Sequence, residues 1–525
     1  MSSGPFGIND LWEAVNSLNT FDGGFITFEQ FGAVGNGSTN DRAAIIAAFA
    51  ESNSTGKVIL GKAGAVYRCS SRIEHLGSVR MACIGGIATI RADVNNDFLR
   101  VGRAAFQFNE TTAQHTTTLS AEANASVNRI SVTSAANIAS GDFIELRSTA
   151  DWPHDNRSVA KKAELHKVDF VSGTVVRLCS QVNQTFTTGE TTVRIYKPVD
   201  VVIQGFRIEG SWSSNTERVG IRASCANLNF NGEVSGFGGA GIIAYHCFAP
   251  KISGSFDKAG GVSSGYGVQV KGCTLANITG SSFGCRRGAD VSGDVTPSWN
   301  CKIRDFSVMG GGDTVNGGFF GQGGVNNYGV GDHGPAAMTT YHNCTITDVF
   351  RPFQHRGRDS VIDGATVRGW VPEAVITLWH NEQFTAKNIS FKRGWGGSID
   401  GSGAVSGQTY AVPRNFIQIR NVNVGMTETT NQIIVDGCTC EVREAFLGGV
   451  GTGRTIPDNI ELSNNSINFY TDSSAAVYLV RNSEGTSRTI TRFYNNANRY
   501  SRIGTSGSVS PFLNITVSGP RQVFS

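Results

Sequence analysis

The chain has 525 residues with a net charge of +3, 39% hydrophobic residues and 17% charged ones. That length outgrows one compact core and calls for several domains or a repetitive, elongated fold. The apolar share excludes a disordered chain, and the near-neutral charge with no Lys/Arg cluster excludes the electrostatic footprint of a nucleic-acid binder.

Glycine is abundant at 65 residues and proline sparse at 12, with no Gly-X-Y period, which removes collagen. Low charge with much Gly, Asn, Ser and Thr suits a surface that meets polar ligands such as glycans through hydrogen bonds. No apolar run approaches the ~18 residues of a membrane span, so no membrane partner is expected. The N-terminus MSSGPFGINDLWEAV has neither a basic nor an apolar stretch, so no secretory signal is expected. The 11 cysteines show no zinc spacing, and most are expected to be buried thiols in a protein made in a reducing cytosol. Cys438 and Cys440, two apart, would share one face of a strand.

The predicted elements begin with FGAVGNGSTNDRAAIIAAFA at 31–50: a glycine-rich turn, a polar cap at Thr39 to Asp41, then an Ala/Ile-rich helix. This helix would cover the open end of a strand stack, with the first coils reaching residue 105. Residues 106–198 alternate apolar and polar positions between turn signals, as a small antiparallel β insert would. His166 in this insert is read as a solvated strand residue.

From 199 onward a repeat sets the fold. Ile203, Leu228, Ile252, Ile278 and Ile303 recur at intervals of 25, 24, 26 and 25 residues, and Val367 and Phe391 lie 24 apart. Three short strands joined by turns fill a coil of this length, with β-branched and Phe side chains stacked inward and Gly and Asn in the turns. The expected fold is therefore all-β, a right-handed parallel β-helix over 199–484. Cys225, Cys247 and Cys273 recur near one phase, as a buried ladder would. Between Ile303 and Ile346 the interval jumps to 43, which places a long glycine-rich loop at 309–340 on the side of the stack. A second excursion falls at 394–415. Residues 485–525 lose the pattern and are assigned to a C-terminal β oligomerisation element, since a solenoid needs its open end covered.

The segment FGAVGNGSTNDRAAI resembles the opening signature of pectate-lyase-like β-helices and bacteriophage tailspikes. The β insert with SGDFIEL, FGCRRGADVSGD, GDHG, CTITDVFRPFQHRGRD and SVIDG are similar to tailspike depolymerases. The resemblance covers most of residues 29–480. It implies a homotrimer of right-handed parallel β-helices that binds and cleaves a bacterial capsular or O-antigen polysaccharide. It also implies a place in the virion tail, action at the host cell surface, and attachment to other virion tail proteins through the short segment 1–28.

Glycoside hydrolysis needs two carboxyl groups flanking the bond, whereas elimination from a uronic acid needs a base and a cation for the sugar carboxylate. Asp332 and His333 in VGDHGPA form the densest candidate, between glycines that allow close approach. Arg287, Asp290 and Asp294 lie one coil earlier and could face the same groove, with either aspartate as partner carboxylate and Arg287 binding an anion or hydroxyl. Structural Asx turns are the plain alternative there. One coil after the loop, His355 and Arg356 could bind the sugar, with Arg358 beside them; Arg356 could instead pair with Asp359. Asp313, Glu373, Trp379, His380 and Glu382 extend the line, Trp379 either stacking on a sugar or packing in a core or interface. Acidic candidates outnumber clustered basic ones, which favours an endo-glycosidase with catalytic residues drawn from Asp332, His333, Asp290, Asp294 and Asp313. A lyase and a non-catalytic glycan-binding receptor protein are the alternatives. No motif requires a cofactor or metal.

Overall fold

The structure is a computed structural model that describes residues 24–93, 98–102, 106–107, 110–111, 113–153, 159–210, 218–257, 265–310, 328–369, 371, 374–379, 382–392, 412–420, 431–450, 456–471, 476–482, 488–504, 509–513, 515–517 and 521–523. Nearly all of it is β-strand, and most pairings are parallel. The chain divides into two compact units, Met1–Asp151 with Ala160–Gly280 and Asp294–Ser298, and Trp152–Val159 with Ser281–Gly293 and Trp299–Ser525.

In the first unit, the helix Arg42–Thr55 buries Ala44, Ile45, Ala48, Phe49 and Ser52. Asp41 takes the N-cap position but makes no side-chain cap bond. Its carboxylate instead accepts the backbone N–H groups of Val34 (2.8 Å) and Gly35 (3.1 Å), fastening the glycine-rich turn to the helix start.

Parallel coils follow. The strand Val199–Gly210 pairs with Ala226–Ser235, which pairs with Lys251–Asp257. A second ladder joins Val219–Ser224, Ala240–Tyr245 and Tyr266–Lys271. Ile203 lies opposite Phe230, and Val201 opposite Leu228. The expected alignment of Ile203 with Leu228 is thus off by two residues. Side chains alternate along a strand, so Leu228 and Phe230 both face inward and apolar spacing cannot choose between them.

Glycine is required where coils stack most closely. A Cβ on Gly254 (φ +140°) would lie 1.8 Å from the Gly232 carbonyl oxygen, and one on Gly280 (φ +118°) 2.0 Å from that of Gly254. No L side chain fits such a contact.

The same unit holds a six-stranded antiparallel sheet in the order His115–Thr118, Thr191–Tyr196, Phe143–Asp151, Lys161–Ser172, Val175–Leu178, Arg129–Ser131. Ile144, Leu146, Val168, Phe186, Val193 and Ile195 build its core. His166 is fully buried in this sheet, not solvated. Its strand neighbours set that face inward, where Nδ1 lies 2.8 Å from Ser180 Oγ and Nε2 3.3 Å from the Glu164 carboxylate.

Two long parallel ladders run through the second unit. One runs through Arg287–Ser292, Tyr328–Asp332, Arg351–His355, Ala374–Leu378, Asn415–Arg420, Ala445–Val450, Val477–Asn482 and Val509–Leu513. The other includes Lys302–Met309, Thr340–Thr347, Ser360–Arg368 and Gln383–Lys392, with Val367 opposite Phe391. Ile346 pairs with Val308, not with Ile303, which lies opposite Tyr341 on the other side of the left-handed Asp305. The turns stack as well. Asn343 donates to Asp305 (2.8 Å), Asn388 to Asp363 (3.1 Å) and Asn464 to Asp436 (2.9 Å), and all three asparagines adopt the left-handed conformation. Asparagine tolerates that backbone and satisfies the neighbouring turn at once.

Nine of the 11 cysteines are buried, Cys225, Cys247, Cys273, Cys438 and Cys440 included. Among the described residues no helix is long and apolar enough to cross a membrane.

Candidate active site

The first ladder of the second unit carries a cluster of titratable side chains on three successive strands. Asp290 lies opposite Gly331, and Val291 opposite Asp332. The ladder extends one residue further, because His333 N–H donates to the Val291 carbonyl at 2.9 Å. This register carries His333 to the Asp290 carboxylate. His333 Nδ1 lies 2.9 Å from Oδ1 and 3.1 Å from Oδ2, and the Tyr328 hydroxyl donates to Oδ1 at 2.6 Å.

Asp290 is fully buried, while the His333 side chain keeps 22% of its surface exposed. A carboxylate can only accept, so Nδ1 carries the proton and a neutral ring has its lone pair on Nε2. Burial pushes the His333 pKa down; the Asp290 carboxylate pulls it up, Arg356 and Arg287 push it down, and the net shift is downward. Arg287, which opens its strand, lays its guanidinium 5.1 Å from the centre of the Tyr328 ring.

Asp332 occupies a different environment. Both oxygens are buried and taken: Oδ1 accepts the N–H groups of Arg356 (2.7 Å) and Gly357 (2.6 Å), and Oδ2 accepts Tyr341 (3.0 Å), His355 (3.1 Å) and Ser360 (2.8 Å). Burial raises its pKa, but the proximity of His355 and hydrogen bonds from His355, Gly357 and Ser360 outweigh it, so the carboxyl sits below its ordinary value. His355 is also fully buried, packed against Tyr341, Phe353 and Phe384. Neither group faces solvent.

Arg356 follows His355 and spreads its guanidinium 4.4 Å from the centre of the Trp379 ring, with Arg351 at 5.7 Å. Trp379 is only 5% exposed, so its ring serves as a seat for guanidinium groups. Arg358 pairs with Glu382 (2.7 Å) and Asp359 (3.1 Å). Asp294 belongs to the first unit, where it holds Lys271 at 3.3 Å. Asp313, Glu373 and His380 lie outside the described residues.

The structure thus brings Asp290, His333 and Arg287 together and sets Asp332 with His355. Tyr328, Tyr341 and Ser360 were not singled out by sequence. Each is a strand residue whose type suits a core or a turn equally well, and only the ladder shows which carboxylate it meets. No group of three or more His, Cys, Asp or Glu residues able to hold a metal occurs among the described residues.

No family model matches the chain, and no curated protein does. Among solved structures it is similar to the tailspike gp61 of Pseudomonas phage phi297, at 15% identity and a TM-score of 0.62, covering 90% of this chain and 80% of that one. The tailspike gp49 of Pseudomonas phage LKA1 follows at 16% identity and a TM-score of 0.57, covering 90% and 83%. The Gp54 tailspike of Acinetobacter baumannii bacteriophage AP22, solved in complex with A. baumannii capsular saccharide, gives 16% identity and a TM-score of 0.54, covering 89% and 78%. At these identities the likeness is one of fold, and the fold is the parallel β-helix of phage tailspikes.

Proposed function

We propose that the chain is a phage tailspike that binds and depolymerises a bacterial surface polysaccharide, a capsule or an O-antigen, and that it cleaves by β-elimination at His333. In this reading it works as a homotrimer in the virion tail, joined through its N-terminal segment to other tail proteins and acting at the host cell surface. The tailspike fold supports the substrate class, as does the capsular saccharide bound to the phage AP22 tailspike.

One observation carries the chemistry: a partly exposed histidine, its pKa held below the ordinary value by burial, is oriented through Nδ1 by a buried aspartate and flanked by two arginines. Elimination from a uronic acid asks for that set. His333 Nε2 takes the proton from the carbon next to the sugar carboxylate. Arg287 and Arg356 neutralise that carboxylate and stabilise the enolate. The carbon–oxygen bond to the next sugar breaks, a carbon–carbon double bond forms, and the imidazolium, steadied by Asp290, returns the proton to the leaving oxygen. Hydrolysis, which the count of acidic candidates favoured, fits this geometry less well. Asp290 and Asp332 are both fully buried and hydrogen-bonded, where a glycosidase needs two carboxyls facing the bond.

Digestion of purified capsule and O-antigen polysaccharides, followed by reducing-end and ultraviolet assays, tests the reading. New reducing ends with the absorbance of a conjugated double bond are expected. Reducing ends without that absorbance would mean hydrolysis, and binding with no cleavage would mean a receptor protein.

A further inference from the structure

Trp152 lies in the chain between the strands Phe143–Asp151 and Lys161–Ser172, far in sequence from the ladder that carries His333. Its contacts nevertheless belong to the second unit. The indole is 2% exposed, packs edge-on against Trp299 with ring centres 5.5 Å apart, and donates Nε1–H to the Gly334 carbonyl at 2.8 Å. That carbonyl also accepts the Ala336 N–H at 2.8 Å.

His333 is therefore held on both sides. Its own N–H is bound to Val291, and the next residue is bound to Trp152. Gly334 ends the ladder in a turn, where a glycine would otherwise leave the backbone free to move. A buried donor on that carbonyl pins the Gly334–Pro335 peptide, the first peptide beyond the one that His333 shares with Gly334. Small displacements of a proton-transfer group are costly, because the reacting atoms must meet within hydrogen-bonding distance.

We infer that Trp152 is a positioning residue for the site: through the Gly334 carbonyl it sets the place of the His333 ring. The inference rests on the reading of His333 as the base, yet it has a test that needs no polysaccharide. His333 reactivity towards diethylpyrocarbonate is measured against pH in the full-length protein, with peptide mass spectrometry separating it from the other histidines.

In the native protein the titration midpoint should lie below the ordinary histidine value. In Trp152→Phe, which keeps an aromatic ring against Trp299 and loses the donor, the reaction should be about 3–10-fold faster, the span one hydrogen bond supports. The midpoint should also move up towards the ordinary value. An anchor with a purely structural role would lower the melting temperature and leave the midpoint alone; that result would overturn the inference. Should Trp152→Phe not fold, Trp299→Phe loosens the same indole, and an unchanged midpoint there is equally fatal. Failure of the elimination reading shows separately, as absence of unsaturated ends in the polymer digest.

Discussion

His333 Nδ1 and Asp290 Oδ1 lie 2.9 Å apart although 43 positions separate them in the chain. The register that pairs Val291 with Asp332 and ends on the His333 N–H makes the contact. Rigid strands on both sides hold a histidine and its orienting carboxylate in one geometry, and catalysis by proton transfer asks for that arrangement before it asks for any particular pKa.

The pH dependence follows from the direction of the His333 shift. Burial, opposed by Asp290, holds its pKa below the ordinary 6.5. The base must be neutral to act, so kcat/KM should be full at pH 7 and fall only as pH drops through a midpoint below 6.5. For stability the sign is the same: the unfolded chain binds a proton more readily, so the contribution is lost as pH falls below the ordinary value. A kcat/KM profile with its acidic limb above 6.5 would contradict this.

Asp332 is expected to act on stability. Its five donors are mostly buried, so Asp332→Ala would strand them and should cost about 3–5 kcal/mol, read as a drop in melting temperature. The folded pKa is lowered, so this stabilisation is present above the ordinary carboxyl value and lost as pH falls through the folded one. Asp332→Ala with native stability would refute the assignment.

The two arginines should act on an acidic sugar. Arg287→Ala and Arg356→Ala are each expected to lower kcat/KM about 10–100-fold, as losing a charge-assisted bond does. Reducing the polymer's carboxyl groups to alcohols should erase the difference between these variants and the native protein. Equal cleavage of reduced and native polymer by the unaltered protein would show that no carboxylate is recognised.

A further buried carboxylate, in the first unit, has no part in this chemistry. Glu145 accepts Arg147 (2.8 Å), Tyr196 (2.7 Å) and Thr296, and His246 bonds to Thr296 at 2.9 Å. Burial raises its pKa, but Arg147, His246 and Arg194 outweigh it and hold it at about 2 against an ordinary 4.5. That difference corresponds to roughly 3 kcal/mol, present above pH 4.5 and lost between there and about 2. Glu145→Gln should lower the melting temperature at pH 7 and flatten its dependence between these limits. A variant as stable as the native protein would contradict the account.

Much of the fold is legible in the sequence because a coil of constant length must repeat its inward residues. Val367 and Phe391 show this, 24 apart and paired. Register is less legible, since Leu228 and Phe230 both face inward and spacing alone selects the wrong one. His166 looked solvated because its strand alternates, but alternation does not say which face is covered. At the site, the glycine-flanked aspartate and histidine of VGDHGPA mark the place. The division of labour between them is not written there. Only the ladder shows that His333 turns to Asp290, while Asp332 turns to His355 and the next strand's backbone. Asp294 resembled Asp290 in sequence, and its partner Lys271 comes from another strand altogether.

The most direct measurement compares native protein and His333→Ala on a polysaccharide that the native protein digests, with binding measured alongside cleavage. The account expects the variant to bind the polymer as before and to form unsaturated ends about 10²–10⁴-fold more slowly. Cleavage at the native rate would contradict it.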